Sequence, residues 1–557
     1  MAGTIDVKSD SLDQVIECIN GRKSFLLEAG AGSGKTWSLV EALKYLLAKQ
    51  SDNLLTNNQQ IVCITYTNVA KDEISERINN NSLVLVGTIH EFLWDVIKNY
   101  QSELKSVLLD YNDASKNRIE DLKPIIKNVN IEYTQYGRMF EIGRITHDDV
   151  LEFSSQLFHR YPKIQKIVSD KYPYIFVDEY QDTEKRTVDL LVEDLLNSET
   201  KNLIIGFFGD SMQKIYNQGI GEINSDKLKL VTKKDNFRCS KKVIDLLNKI
   251  RPSLVQRPSG KNVEGHVSFY HCDGSEGDSY AKVIESLKLV NGWDFNPAKT
   301  KILMLTHKGI ANKLDYPALL DLYSRRYVLG RERLFGKEDR FADLIFNKIE
   351  TLVSLYKQQK YGQFIEMLGK EGFSLAFHKH KIEIKEQMDG LHEIRMSGTI
   401  GQVLNYIFDK QLLTKPQRIK DFEREIGQKE LDETGLKNKE FYDQLMNINY
   451  REVINLYEYI EDQTPFSTKH GVKGAEFENV LIVIDDKSWN QYNFNDVFGN
   501  NKKNLNRYNR TRNLLYVCCS RAKDKLALLS LSKIDEEAMR TIYNWLDKEN
   551  VHNVADL

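Results

Sequence analysis

Residues 29–36 read Ala-Gly-Ala-Gly-Ser-Gly-Lys-Thr and follow directly on the run Phe25–Glu28. That order spells strand, phosphate loop, helix. It commits the chain to a parallel sheet, because such a loop works only at the carboxyl end of a strand that feeds a helix. The inward amides of a Gly-rich turn face phosphate oxygens, and the helix opening near Lys35 adds its positive dipole end. Ala29 stands where the general pattern has Gly. Ala29, Gly30, Ala31, Gly32, Ser33 and Gly34 form the expected cradle, Lys35 reaches the β and γ phosphates, and the Thr36 hydroxyl holds Mg²⁺. The expected fuel is a nucleoside triphosphate.

A second segment strengthens that reading. Tyr174–Val177 is an apolar strand that ends in Asp178-Glu179, followed by Tyr-Gln-Asp-Thr. A carboxylate at the tip of a buried strand is costly unless it holds a cation. Asp178 is the expected Mg²⁺ partner of Thr36, and Glu179 the residue that orients or deprotonates an attacking water. The two segments, in this order, describe an ATPase.

Strands are expected near Phe25–Glu28, Ile61–Thr65, Leu83–Val86, Tyr174–Val177 and Leu203–Phe208, with helices between them. From about Tyr100 to Asp170 the pattern turns helical and reads as an insertion. A second alternating region begins at Val267–Tyr270, Ala281–Lys288 and Lys301–Leu305. It resumes at Val480–Ile484, Leu514–Ser520 and Lys525–Leu529, after a charged, helix-rich stretch from about Gly330 to Asp462. Ser259–Gly265 reads as a linker, and the Asn-rich piece Asn490–Asn509 as a locally basic loop. The class is α/β. The expected division is 1–99 with 171–258, interrupted by 100–170, then 259–330 with 463–557, interrupted by 331–462.

The chain has 557 residues, with 78 Lys and Arg against 80 Asp and Glu. Bulk basicity therefore cannot drive nucleic-acid binding, and any track must come from local placement of cations and rings. Cys18, Cys63, Cys239, Cys272, Cys518 and Cys519 show no CxxC spacing. Reduced thiols follow, without a zinc or iron–sulfur site. Apolar runs are of strand length, so a cytoplasmic protein with no membrane partner is expected.

Further segments close strands and open helices in the same manner. They are Ile64-Thr-Tyr-Thr-Asn-Val-Ala-Lys, Val86-Gly-Thr-Ile-His-Glu-Phe and Gly206-Phe-Phe-Gly-Asp-Ser-Met-Gln. Asn236-Phe-Arg-Cys-Ser, Ser467-Thr-Lys-His-Gly-Val-Lys-Gly-Ala-Glu and Leu514-Leu-Tyr-Val-Cys-Cys-Ser-Arg-Ala-Lys follow. In this order, from about Gln14 to Ala522, they resemble the motifs of superfamily 1A helicases of the UvrD, Rep and PcrA type. The resemblance implies two RecA-like motor domains, 1A and 2A, carrying helical insertions 1B and 2B. It also implies ATP-driven 3′-to-5′ movement along single-stranded DNA or single-strand/duplex junctions, in DNA repair or antiphage defence.

By the same resemblance Gln14, 21 residues before Lys35, reads adenine. Gln213 senses the γ-phosphate, and Arg238 and Arg521 are arginine fingers, one from each motor domain. Arg suits that role because its planar, always-charged fork meets the charge that develops on the transferred phosphoryl group. Glu476 lies near the ribose. Tyr66, Thr67, Asn68, Thr88, His90, Thr468, His470 and Lys473 lie on the DNA side, where hydroxyls and amides hold phosphates and a ring stacks on a base.

The chain departs from the family in two places. Ile215-Tyr216 is followed by Asn217, Gln218, Gly219 and Ile220 instead of an aromatic and an arginine, which forfeits roughly 1–3 kcal/mol of base stacking. Trp37 replaces the Arg that lies on the adenine, and Phe237 replaces a Tyr, so a Trp–Phe sandwich is expected without the cation. The compact size and the Ser-Arg-Ala-Lys-Asp-Lys run at 520–525 resemble helicase subunits of antiphage operons, Gabija's among them. That likeness implies a partner nuclease, of OLD/TOPRIM type in a Gabija-like system. It also implies the alternative of a DNA-stimulated ATPase that regulates such a nuclease without sustained unwinding.

Overall fold

The computed structural model describes residues 10–116, 118–134, 137–196, 202–214, 219–272, 279–326, 329–371, 378–468, 474–487 and 490–557. The chain divides into two compact units. The first comprises Met1–Tyr270, Gln491–Ala527 and Ile534–His552, and the second His271–Asn490, Leu528–Lys533 and Asn553–Leu557. Each carries parallel strands wrapped by helices.

In the first unit six strands lie in the order Val84–Gly87, Ile61–Ile64, Tyr174–Asp178, Ile204–Gly209, Phe25–Ala29, Lys229–Lys233. Every pairing is parallel. Side chains on a strand alternate between faces, and the core divides accordingly. Phe25, Leu27, Ile61, Cys63, Phe176, Ile204 and Phe208 pack on one face with the helix Lys35–Thr56. Leu26, Val62, Ile64, Ile175, Val177, Ile205 and Phe207 pack on the other. Phe25, Phe176 and Phe208 meet edge to face at 5.5–5.9 Å. Gly206 makes that cluster possible, since a Cβ there would stand 2.5 Å from the Phe25 ring. All six strands run the same way, so their carboxyl ends share one edge, and the site forms there.

Three local differences from the sequence reading have physical causes. The Asn-rich stretch is not one loop. It holds the helix Phe494–Phe498 and the start of Leu505–Cys519, with Asn493 and Asn504 as N-caps accepting from the amides of Asp496 and Arg507. Asn is a strong cap as well as a loop residue. The sixth strand, Lys229–Lys233, was hidden by its polar composition, since only Val231 and Lys233 of its five residues are buried. The stretch after Tyr100 contains the helices Gln101–Asp113, Leu122–Ile126, His147–Arg160 and Pro162–Lys171. It also contains the short strand pair Glu132–Tyr133 and Arg144–Ile145. Within the expected linker, Asn262 is pinned, its amide donating to the carbonyls of Asn236 and Cys239.

In the second unit Thr300–Met304 lies between Phe466–Thr468 and Phe477–Ile484, parallel to both. Helices fill most of residues 330–460. Among them Arg395 and Glu350 are buried together, 1% and 3% exposed, with Arg395 Nε donating to Glu350 at 3.0 Å and the Tyr450 hydroxyl at 2.8 Å. Among the described residues no helix is long and apolar enough to cross a membrane. Removing one member of such a buried pair strands the other charge. Arg395→Ala is therefore expected to cost about 3–5 kcal/mol, read as a lower urea midpoint, whereas Glu350→Leu with Arg395→Met is expected to recover most of it.

Candidate functional site

The phosphate loop takes a shape that glycine permits. Gly32 and Gly34 have φ of +69° and +75°, values that L side chains rarely adopt. A Cβ on Gly30 would stand 2.2 Å from the Gln256 amide, and one on Gly32 2.7 Å from Arg238 Cβ. The helix Lys35–Thr56 starts after Gly34 with no side-chain cap, so its first amides await another acceptor. Ser33 Oγ is buried with no hydrogen-bond partner. Open amides, an orphaned hydroxyl and Lys35 together fit a phosphate group.

Asp178, buried at a strand tip, and Glu179 adjoin the loop. Lys35 Nζ lies 4.0 Å from Glu179 Oε2. Glu179 has φ +49°, a left-handed value that costs a non-glycine residue about 1–3 kcal/mol. Its Oε2 accepts from Gln181 Nε2 at 2.5 Å, and Gln181 Oε1 accepts the Asp210 amide at 3.1 Å. Thr36 and Asp178 offer one hydroxyl and one carboxylate to Mg²⁺, a set that suits an ion completing its shell with phosphate oxygens and water.

Gln213 and the two arginines come together within the first unit. Gln213 donates to Asp210 at 2.9 Å and accepts from Arg521 Nη2 at 3.1 Å. Arg521, expected on the second motor domain, groups by contacts with the phosphate loop. It is only 2% exposed, and Arg238 Nη1 lies 3.5 Å from the Ser520 carbonyl. Burial first, and then Arg238, pull the Arg521 pKa down to about 10. It stays charged at neutral pH, in a place that favours an incoming anion.

Trp37 and Phe237 are both partly exposed, 39% each, and the Phe237 amide donates to Gly32 O at 2.9 Å. A different cation lies against the Trp37 ring. Lys233 Nζ lies 5.1 Å from the Trp37 ring centroid and donates to Ser38 Oγ at 2.6 Å. Lys233 is 1% exposed, and burial pulls its pKa down to about 8. Gln14 lies on the helix Asp10–Asn20, its amide donating to Asp10 at 3.3 Å.

Tyr66, Thr88 and His90 line a cavity of about 660 Å³ with Tyr133, His147, Asp178 and Asp182. Tyr66 is half exposed. Thr67 and Thr88 are N-caps of the helices Asn68–Arg77 and Ile89–Ile97, accepting from the amides of Ala70 and Glu91. Asn68 is exposed at the first turn of its helix. The His90 and His147 rings lie 4.4 Å apart, and the Tyr133 hydroxyl bonds His147 Nδ1. Burial, and then His147, lower the His90 pKa to about 4, so His90 is neutral at pH 7. Thr468 and Glu476 lie in the second unit, the first buried and the second exposed. His470 and Lys473, and the Ile215–Gln218 departure, lie outside the described residues.

Four residues escaped sequence reasoning: Arg251, Tyr516, Lys233 and His147. Arg251 is buried with Glu28, and its Nη1 donates to Asp210 at 2.8 Å. The Tyr516 hydroxyl accepts the Ala31 amide at 3.0 Å. A lone Arg, Lys or His carries no spacing signal, and Tyr516, although inside the motif at 514–523, acts on Ala31, 485 positions away.

Lys233 gives the site a pH signature. Its folded pKa, about 8, lies below the unfolded ~10.4, so the unfolded chain holds the proton more tightly. Stability should therefore rise between about pH 8 and pH 10, the penalty being fully present below pH 8. Lys233→Met is expected to gain of order 1–3 kcal/mol at pH 7 and to flatten that rise, measured by denaturant unfolding at pH 7 and 9.5.

Comparison with known proteins agrees with this geometry. A family model described as an AAA domain matches residues 13–218. The Gabija protein GajB of Bacillus cereus (strain HuB5-5) is 26% identical over 94% of this chain and 96% of its own length. The ATP-dependent DNA helicase PcrA of Staphylococcus aureus (strain Mu50 / ATCC 700699) is 26% identical over 47% of this chain and 43% of its own. PcrA of Staphylococcus epidermidis is 27% identical over 42% and 39%. The chain thus spans less than half the length of the PcrA relatives. It is similar to the Gabija protein GajB over nearly its whole length and to the PcrA helicases over less than half of it.

Proposed function

We propose that this chain couples ATP hydrolysis to 3′-to-5′ movement along single-stranded DNA and acts in antiphage defence. The observation that carries the reading is the buried Arg521–Gln213 bond at 3.1 Å, beside a phosphate loop whose Lys35 faces Glu179 at 4.0 Å. A cation aimed at the transferred phosphoryl group, a carboxylate for the water and a lysine for the β and γ phosphates form the working set of a triphosphatase. The similarity to GajB over nearly the whole chain supports the defence role, and a partner nuclease, of OLD/TOPRIM type in a Gabija-like system, belongs to the same proposal. A cytoplasmic location belongs to the same reading.

Lys35 and the loop amides of Gly32, Gly34, Lys35 and Thr36 would hold the phosphates, and Thr36 and Asp178 would hold Mg²⁺. That ion, when bound, neutralises charge on the β and γ oxygens. Glu179 takes the proton of the attacking water, kept in orientation by Gln181. Arg521 and Arg238 meet the charge that develops on the transferred group, and Gln213 links them to Asp210. Trp37 and Phe237 enclose the base, with Gln14 at its edge and Glu476 near the ribose. Tyr66 stacks on a base, while Thr67, Asn68, Thr88, Thr468, His470 and Lys473 hold the DNA backbone. His90, neutral at pH 7, acts there by hydrogen bonding. Motor domains 1–99 with 171–258 and 259–330 with 463–557, carrying insertions 100–170 and 331–462, fit these roles.

A second reading draws on the same end-to-end likeness to GajB, against less than half of PcrA. Here the chain is a DNA-stimulated ATPase that regulates a partner nuclease without sustained unwinding. Strand displacement by the isolated chain separates the two, since robust unwinding rejects the regulator.

DNA-stimulated ATP turnover is expected to fall about 100-fold or more in Lys35→Ala and in Glu179→Gln, measured as phosphate release. Undiminished turnover in Lys35→Ala would reject the ATPase site. A 3′-tailed duplex is expected to be the better substrate, and preference for a 5′ tail would reverse the assigned direction.

A further inference from the structure

Tyr516 is almost fully buried, at 1% exposure, on the helix Leu505–Cys519. Its hydroxyl accepts the Ala31 amide proton at 3.0 Å, in the middle of the phosphate loop. The carbonyl of the same residue accepts from Gln256 Nε2 at 2.8 Å and from Asn236 Nδ2 at 2.9 Å. Ala31 is therefore clamped at both its amide and its carbonyl, and the amide clamp comes from the helix that leads into Arg521. A buried amide left without a partner is costly, so a phenylalanine would not serve equally at this position.

The ring of Tyr516 makes a second connection. The Arg251 guanidinium lies 5.7 Å from its centroid. Arg251 donates to Asp210 at 2.8 Å, Asp210 accepts from Gln213 at 2.9 Å, and Gln213 accepts from Arg521 at 3.1 Å. One route runs from Tyr516 along the end of its own helix to Arg521. The other runs through Arg251, Asp210 and Gln213 to the same guanidinium. Burial raises the Tyr516 pKa, which keeps its hydroxyl neutral.

We propose that Tyr516 is a positioning residue for ATP turnover, holding the Arg521 guanidinium in register with the phosphate loop. The proposal rests on the ATP-site reading above. The hydroxyl takes no part in bond making. It ties the loop to the helix end that carries the finger, so filling the loop sets the finger. A lost strut lowers the rate of the chemical step while leaving phosphate binding to Lys35 and the loop amides.

The test measures single-stranded-DNA-stimulated ATP turnover for the unaltered chain, Tyr516→Phe, Arg521→Ala and the double variant. Tyr516→Phe is expected to lower kcat about tenfold, to change the KM for ATP less than about twofold, and to add nothing once Arg521 is Ala. Unchanged kcat, a rise in KM alone, or fully additive losses would overturn the proposal. A second measurement needs no variant. Hydrogen exchange of the unaltered chain, with and without a non-hydrolysable ATP analogue, is expected to show joint protection of the peptides containing Ala31 and Arg521. Protection of the loop alone overturns the coupling. An unaltered chain that neither binds the analogue nor turns over ATP removes the site reading itself, and the proposal with it. Full ATPase activity in Tyr516→Phe removes only the positioning role.

Discussion

Glu28 and Asp210 stand at the carboxyl ends of two adjacent parallel strands, and Arg251 lies between them, 3% exposed. Much of the site depends on that pairing. A carboxylate at such a place is expensive to bury, and burial raises the Asp210 pKa even against the pull of Arg251. Glu28 also accepts from the Tyr180 hydroxyl and from Ser211 Oγ at 2.6 Å. The strand that enters the phosphate loop is thereby tied to the segment after Glu179 and to the turn that carries Gln213. Three strand ends are locked in one register by a single guanidinium and its two partners.

Beside this anchor two like charges crowd together, Arg521 against Arg238, while Lys35 stands 4.0 Å from Glu179. Arg521 gives up some of its basicity to burial and to Arg238, which is the condition of a cation prepared for an anion. On the proposed reading a triphosphate would supply that charge, and its loss on hydrolysis would return the two arginines to repulsion. Binding and release would then drive movement because the favourable partner is removable.

Much of the fold was legible from residues alone. The phosphate loop was readable because φ above zero at Gly32 and Gly34 requires a residue type, and the type is visible. Five strands of the first sheet announced themselves as apolar runs. Lys229–Lys233 did not, because an edge strand buries only alternate residues and its buried end is a lysine. The Asn-rich stretch misled because asparagine serves loops and helix caps equally, and here Asn493 and Asn504 are caps. The candidate site divides in the same way. Most motif residues carry a role legible from their setting, whereas Arg251, Lys233 and His147 lie outside every motif, and Tyr516, inside the motif at 514–523, gains its role from Ala31 far along the chain.

The amino-acid order by itself determined the loop, the strand-tip carboxylates and the succession of strand and helix, because these depend on backbone geometry and burial within a few residues. Tertiary structure alone decided that Lys233 lies against Trp37 and that Ala31 is held by Tyr516. It also decided that Arg521 reaches Gln213 across 308 positions. Such contacts arise when separate segments share one low-dielectric interior. Each buried polar group there takes whatever partner the packing brings within reach, and no spacing along the chain records that choice.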